Sequence, residues 1–270
     1  MSLPTRIITA LGAALLLAGP AGLQAETTAS GLADIAAGSH RSAENRARNT
    51  ARHPVATLEF FGIAPDMTVV EIWPAGGWYT EILAPYLNDN GQYIAAHWDP
   101  DAESEFVRRG VERYRAKLAE HPELYGNARM GVLMHPDKMD FAPAESVDLV
   151  LTFRNIHNWM GRDYADAMFA AMYRALKPGG TLGVVEHRGD PALPQDPTAA
   201  KGYVTEEHAI ALAEQAGFRL VARSAIHAQP EHTKDKELGV WTLPPTLAAG
   251  DEPRYQDIGE SDRFTLKFVK

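Results

Sequence analysis

Thr68-Val69-Val70-Glu71-Ile72-Trp73-Pro74-Ala75-Gly76-Gly77 is the stretch that decides the fold. Its first six residues are mostly β-branched or apolar, without strict alternation. That pattern belongs to a strand buried on both faces of a parallel sheet. Pro74 to Gly77 breaks the run, and Trp78 to Leu87 resumes at helical spacing. Strand, glycine turn and helix in that order open a βαβ unit.

The alternation repeats downstream. Strands are expected at Gln92 to His97, Ala128 to Met134, Val147 to Phe153, Thr181 to Glu186 and Phe218 to Ile226. Helices are expected at Asp101 to Glu120, Tyr164 to Leu176 and Glu206 to Ala216. Lys177-Pro178-Gly179-Gly180 closes the second of these, and Gly217 the third. Arg263 to Val269 alternates Phe264, Leu266 and Phe268 with polar residues, as an antiparallel strand with one wetter face would. The whole predicts an α/β fold with a doubly wound sheet. Upstream, residues 26–64 read as a helical extension, with a helix start at Ser42 and a short helix Val55 to Phe61 ended by Gly62. Residues 229–261 form one long irregular stretch containing Trp241, Pro244 and Pro245, and a loop of that length usually serves function.

Arg6 followed by the uncharged run Ile7 to Leu23, with Ala25 at its end, has the layout of a secretory signal peptide. Cleavage after Ala25 would leave about 245 residues, one domain of the larger α/β kind. The expected location is the periplasm or the cell exterior, with no stable membrane insertion once the segment is removed. The chain has no Cys, which excludes disulfides, thiol nucleophiles and thiolate metal sites. A net charge of −9 argues against a nucleic-acid partner, which needs a basic face. Arg41, Arg46, Arg48 and Arg52 are the one basic cluster, and their spacing reads as a solvated helix face.

In a doubly wound sheet, ligands bind beyond the carboxyl ends of the strands. After the first strand, Glu71 followed by Trp73, Ala75 and Gly77 resembles the acidic residue and glycine-rich motif of class I S-adenosylmethionine (SAM) dependent methyltransferases. Trp73 and Ala75 stand where that motif has glycine. Further phrases carry the likeness: Ala95-Ala96-His97-Trp98-Asp99-Pro100, Thr152-Phe153-Arg154-Asn155-Ile156-His157-Asn158-Trp159, Leu176-Lys177-Pro178-Gly179-Gly180, Val184-Val185-Glu186-His187-Arg188 and Gly239-Val240-Trp241-Thr242-Leu243-Pro244-Pro245. Together, over about residues 40–270, they resemble a family of predicted periplasmic methyltransferases.

The resemblance implies a Rossmann-like sheet of seven strands in the order 3-2-1-4-5-7-6, SAM as cofactor and a small-molecule substrate. It implies that Glu71, Trp73, Ala75, Gly76 and Gly77 surround the methionine end, and that His97 and Asp99 face the ribose. Asn155 and His157 fall in the loop that positions the reacting edge. Methyl transfer needs mainly alignment, and an imidazole serves as general base where the nucleophile carries a proton. Two other readings stand beside this one. His97, His135, His157 and His187 each follow a strand, and with Glu186 they form a candidate transition-metal site, though without a metal-binding spacing. A binding protein that kept the fold without catalysis is the third.

Overall fold

The computed structural model describes residues 31–270 apart from 231 and 233. The expected cleavage site lies outside the described residues. Among those described, no helix is long and apolar enough to cross a membrane.

Seven strands form one sheet: β1 (Thr68–Ile72), β2 (Gln92–His97), β3 (Arg129–Val132), β4 (Val147–Phe153), β5 (Leu176–His187), β6 (Arg219–Ser224) and β7 (Arg263–Val269). Their order is β3-β2-β1-β4-β5-β7-β6, as expected. The first five run parallel, and β7 is antiparallel to both β5 and β6. The order reverses between β1 and β4, so their carboxyl ends flank the crevice.

Side chains alternate across the sheet, and each face is covered. Val70, Ile72 and Val150 pack with Met168 and Phe169 of the helix Ala165–Ala175. Val69, Leu149 and Leu151 pack on the other face with Phe61, Ile82 and Tyr114. Those three come from Pro54–Phe61, Thr80–Leu87 and Glu105–Glu120. The N-terminal extension is therefore part of this layer. A Cβ at Gly183 would lie 2.7 Å from Phe61 Cγ, so the close approach of that helix to β5 requires glycine.

Local signals explain the extension. Ser42 caps the helix Ala43–Ala47 by accepting from the Asn45 N–H. Gly62, at φ 84°, ends Pro54–Phe61 in the left-handed region.

Three expectations need correction. Leu176-Lys177-Pro178-Gly179-Gly180 is not merely a turn before β5 but its first residues, because Gly179 N–H and Gly180 C=O bond to Lys270 at the end of β7. β7 has no wet face. Arg263 and Thr265 are buried beneath the extension, where His227 bridges Thr265 Oγ1 and the Arg52 carbonyl at 2.7 and 2.9 Å. The arginine cluster is not a solvated helix face either. Arg41 is buried against Glu81 and stacks on Trp78, while Arg48 and Arg52 turn inward to Glu260.

Candidate active site

A cavity of about 380 Å³ opens over the carboxyl ends of β1, β4 and β5, within the range for small-ligand sites. At one end it shares Ala75, Trp98 and Phe106 with a neighbouring space of about 440 Å³ over Gly76. At the other it shares Arg52, Arg154, His187 and Trp241 with a smaller space of about 190 Å³ beside Glu260. The main cavity thus has a loop end and an arginine end.

The turn after β1 forms the loop end. Trp73, Ala75 and Gly77 have φ of 47°, 51° and 76°, so all three glycine positions of the motif adopt the left-handed conformation. For Trp73 and Ala75 this costs about 1–2 kcal/mol each. The Trp73 indole does not project into solvent. It is 7% exposed, donates through Nε1 to the Leu133 carbonyl at 2.9 Å, and meets Trp98 and Trp159 edge-on. It fills the space beside the β3 end that a glycine at 73 would leave open. Gly76 has nothing within 4 Å of a built Cβ, so its backbone faces open space. Gly77 does not: its Cβ would point at Tyr114 and Lys117 of the helix Glu105–Glu120.

Glu71 is buried at the base of the cavity. Burial raises its carboxyl to about 7, against the opposing hydrogen bonds from Tyr93 and Thr80, whose hydroxyls lie 2.6 and 3.2 Å from Oε2.

His97 is not free to hold a ribose, and Asp99 is already engaged in the loop. His97 is 0% exposed, accepts the Trp98 N–H on Nδ1 at 2.7 Å, and directs Nε2 at the Ala75 carbonyl at 3.5 Å. Burial pushes its imidazole down to about 4, so it is neutral, and both nitrogens are committed to shaping the loop. Asp99 accepts from Asp101 N–H at 3.1 Å and pairs with Lys138 at 2.7 Å, holding the turn before the next helix.

At the centre, His157 Nδ1 lies 3.1 Å from Glu186 Oε1. Glu186 also accepts backbone N–H groups from Ile156 at 2.7 Å and His187 at 2.8 Å. It thereby caps the short helix Ile156–Met160 that carries His157. With Nδ1–H donated to the carboxylate, Nε2 carries the lone pair. Asn155 donates to the Ile72 carbonyl at 2.9 Å and to Thr152 Oγ1 at 3.2 Å, tying the end of β4 to β1. His187 contacts Ser261 Oγ at 2.5 Å, and burial, then His157, Arg263 and Arg154, hold its imidazole well below its ordinary range. Trp241, from the long 229–261 stretch, closes over both histidines at 5.4 and 6.4 Å.

Of the candidate metal ligands, His157, Glu186 and His187 converge, with ligand atoms within 4.8 Å of one another. His97 lies under the loop, and His135 stacks on Tyr164. The Glu186 oxygens are already engaged by N–H groups, and Arg154 and Arg263 act on His187. That field disfavours a cation. The sequence reading did not single out Arg154, Trp241 or Glu260 as site residues. The signal for Arg154 and Trp241 was their place inside the quoted phrases.

Residues 76–184 match the family described as "Methyltransferase domain". No curated protein matches the chain in sequence. Among solved structures, a SAM dependent methyltransferase from Aquifex aeolicus is similar at 16% identity and TM-score 0.53, over 83% of this chain and 92% of that one. The [4+2]-cyclase SpnF is similar at 15% identity and TM-score 0.57, over 92% and 94%. An arsenic (III) SAM methyltransferase from Chlamydomonas reinhardtii is similar at 16% identity and TM-score 0.51, over 88% and 72%. The chain therefore has the class I methyltransferase fold, and residues 76–184 match a methyltransferase domain. The cofactor this domain implies is SAM.

The residues present fit that cofactor at the loop end. Gly76 leaves backbone open, and Trp98 with the 69% exposed Phe106 offers an aromatic wall, their rings 5.9 Å apart. One feature departs from the usual set: both His97 nitrogens are committed, and Asp99, which already accepts from Asp101 and Lys138, does not line the cavity.

Proposed function

We propose that this protein transfers the methyl group of SAM to a small-molecule acceptor, and that it does so outside the cytoplasm after residues 1–25 are removed. The observation that carries the catalytic part is the His157–Glu186 pair in the cavity wall. SAM, when bound, supplies a methyl group activated on a sulfonium. Glu71, Ala75 and Gly76 line its methionine end, Gly77 holds the turn against Tyr114 and Lys117, Trp73 closes the crevice behind it, and Trp98 and Phe106 flank its base. His97 and Asp99 act indirectly, through the loop conformations they hold.

His157 takes the acceptor's proton on Nε2 as the new bond forms. Glu186 fixes the tautomer and balances the resulting imidazolium, while Asn155 fixes the backbone that carries His157. Trp241 and the aromatic walls exclude water. The fold alone does not dictate this chemistry, as the cyclase with the same fold illustrates. The reading rests on the matched domain and this site.

Protein incubated with methyl-tritiated SAM and a small-molecule extract of the periplasm should move label into the small-molecule fraction. His157→Gln should slow that transfer by about 10²–10⁴-fold while still binding cofactor. Label transfer no greater than with denatured protein would contradict the proposal. Export is tested separately by intact mass: protein recovered from the periplasm should begin at Glu26, and full-length protein confined to the cytoplasm would reject it.

A further inference from the structure

The arginine end of the cavity is electrostatically unbalanced. Arg48, Arg52 and Arg263 all reach Glu260: Arg48 Nε at 2.7 Å, Arg52 Nε at 3.2 Å, and Arg263 through Nη2. Arg154 lines the same pocket as Glu260, and its guanidinium makes no hydrogen bond or ion pair among the described residues. Three guanidinium groups thus pair with one carboxylate, and a fourth lines the same pocket. The other nearby acid, Asp262, is occupied by Arg188 and Lys234.

Arg52, Arg263 and Glu260 are buried at this end, and Arg48 and Arg154 are half-buried. Arg52 is 5% exposed, and its guanidinium also lies over the Trp78 ring. Buried Nη2 of Arg48 and Nε of Arg263 have no hydrogen-bond partner. Burial and the neighbouring Arg154 push the Arg52 guanidinium down to about 8, and burial and Arg263 push Arg154 down to about 10. A guanidinium holds its proton tenaciously, so an anion is the natural relief for this crowding. Uncompensated buried charge is costly, and such cost gathers at functional sites.

We propose that Arg52 and Arg154, backed by Arg48 and Arg263, bind an oxyanion, and that this is the carboxylate or phosphate group of the methyl acceptor. The anion site stands on the geometry above; its assignment to the acceptor rests on the methyl-transfer reading. Position separates the acceptor from SAM's own carboxylate. Arg52 and Arg154 border the main cavity where it adjoins Glu260, beside His187 and Trp241. Ala75, Trp98 and the space over Gly76 lie at its opposite end. An acceptor anchored on the arginines by its anion brings its nucleophile to His157, between the two ends. Planar guanidinium forks suit bidentate recognition of either oxyanion.

Calorimetric titration of the protein with inorganic phosphate, in chloride buffer at constant ionic strength, tests this. Saturable binding at one site is expected, weakened at least about tenfold in Arg154→Gln, the loss of one charge-assisted contact. With the demethylated cofactor S-adenosylhomocysteine at saturation, phosphate affinity should stay within about twofold, since a ligand at a separate site leaves it unchanged. Without phosphate, Arg154→Gln should melt higher than wild type, because it removes a cation repelled by its neighbours. A merely structural arginine would give the opposite sign. Absence of saturable phosphate binding, or equal binding in Arg154→Gln, would overturn the anion site. Competition between phosphate and S-adenosylhomocysteine would overturn its assignment to the acceptor. If S-adenosylhomocysteine does not bind at all, the methyl-transfer reading fails while the phosphate titration still reads the anion site.

Discussion

Replacing Trp73 by alanine and, separately, by glycine isolates two opposing contributions at one position. The indole is buried, packed against Trp98, Trp159 and Tyr164, and hydrogen-bonded to the Leu133 carbonyl. Truncating a buried aromatic to alanine costs about 3–5 kcal/mol, the lost hydrogen bond accounting for about 1 of that. The backbone at 73 is left-handed, with φ of 47°. Glycine adopts that conformation freely, whereas alanine bears a penalty of about 1 kcal/mol. Trp73→Ala should therefore lose about 4 kcal/mol and Trp73→Gly about 3. The order reverses the usual one, in which glycine is the less stable. At about 2–4 °C per kcal/mol for a domain of this size, both variants melt well below wild type, with alanine a few degrees the lower. Calorimetric scans and urea midpoints measure this. A glycine variant less stable than the alanine variant, or both within about 1 kcal/mol of wild type, would refute the packing role. Because the indole fills a space rather than forming a contact the cofactor needs, Trp73→Gly should also preserve or strengthen cofactor binding.

Glu260 predicts an acid-sensitive step in stability. Burial acts to raise its carboxyl, but Arg263, Arg52 and Arg48 outweigh that and bring it from 4.5 to about 2. A lowered carboxyl gives its stability in full above the unfolded value and loses it as pH falls toward the folded one, about 3 kcal/mol here. Urea midpoints should fall between pH 4.5 and 2 in wild type, and Glu260→Gln should be weaker at pH 7 with a flatter slope across that window; parallel slopes would contradict the pairing. Gly77→Val, at φ 76° with Tyr114 3.1 Å from the added Cβ, should cost about 2 kcal/mol in folding. Gly76→Ala, with nothing within 4 Å, should change stability by less than about 0.5 kcal/mol. Equal melting temperatures for these two variants would contradict the loop geometry.

The sheet was legible because its buried strands are uninterrupted apolar runs and its turns carry glycine. β2, β4 and β7 fall where the runs placed them, and the likeness supplied the strand order. Electrostatic pairing across long sequence separations was not legible. Arg52 meets Glu260 across 208 positions, and nothing in the local spacing of the arginines distinguishes a buried site from a wet helix face. His97 stands where the motif places its ribose acid, yet whether its nitrogens are free depends on Trp98 and Ala75, which only the folded loop brings to bear. His157 and His187 were visible as strand-end histidines. Their joining through Glu186 rests on Arg154 onward turning back as a helix, with the β5 carboxylate at its N-terminus.

The central claim is that this cavity holds SAM, and a calorimetric titration with S-adenosylhomocysteine tests it most directly. One molecule should bind per chain. At a hundredfold excess over the dissociation constant the complex should gain about 2.7 kcal/mol of stability, seen as a rise of several degrees in melting temperature. No heat and no thermal shift with either S-adenosylhomocysteine or SAM at millimolar concentration would contradict the account.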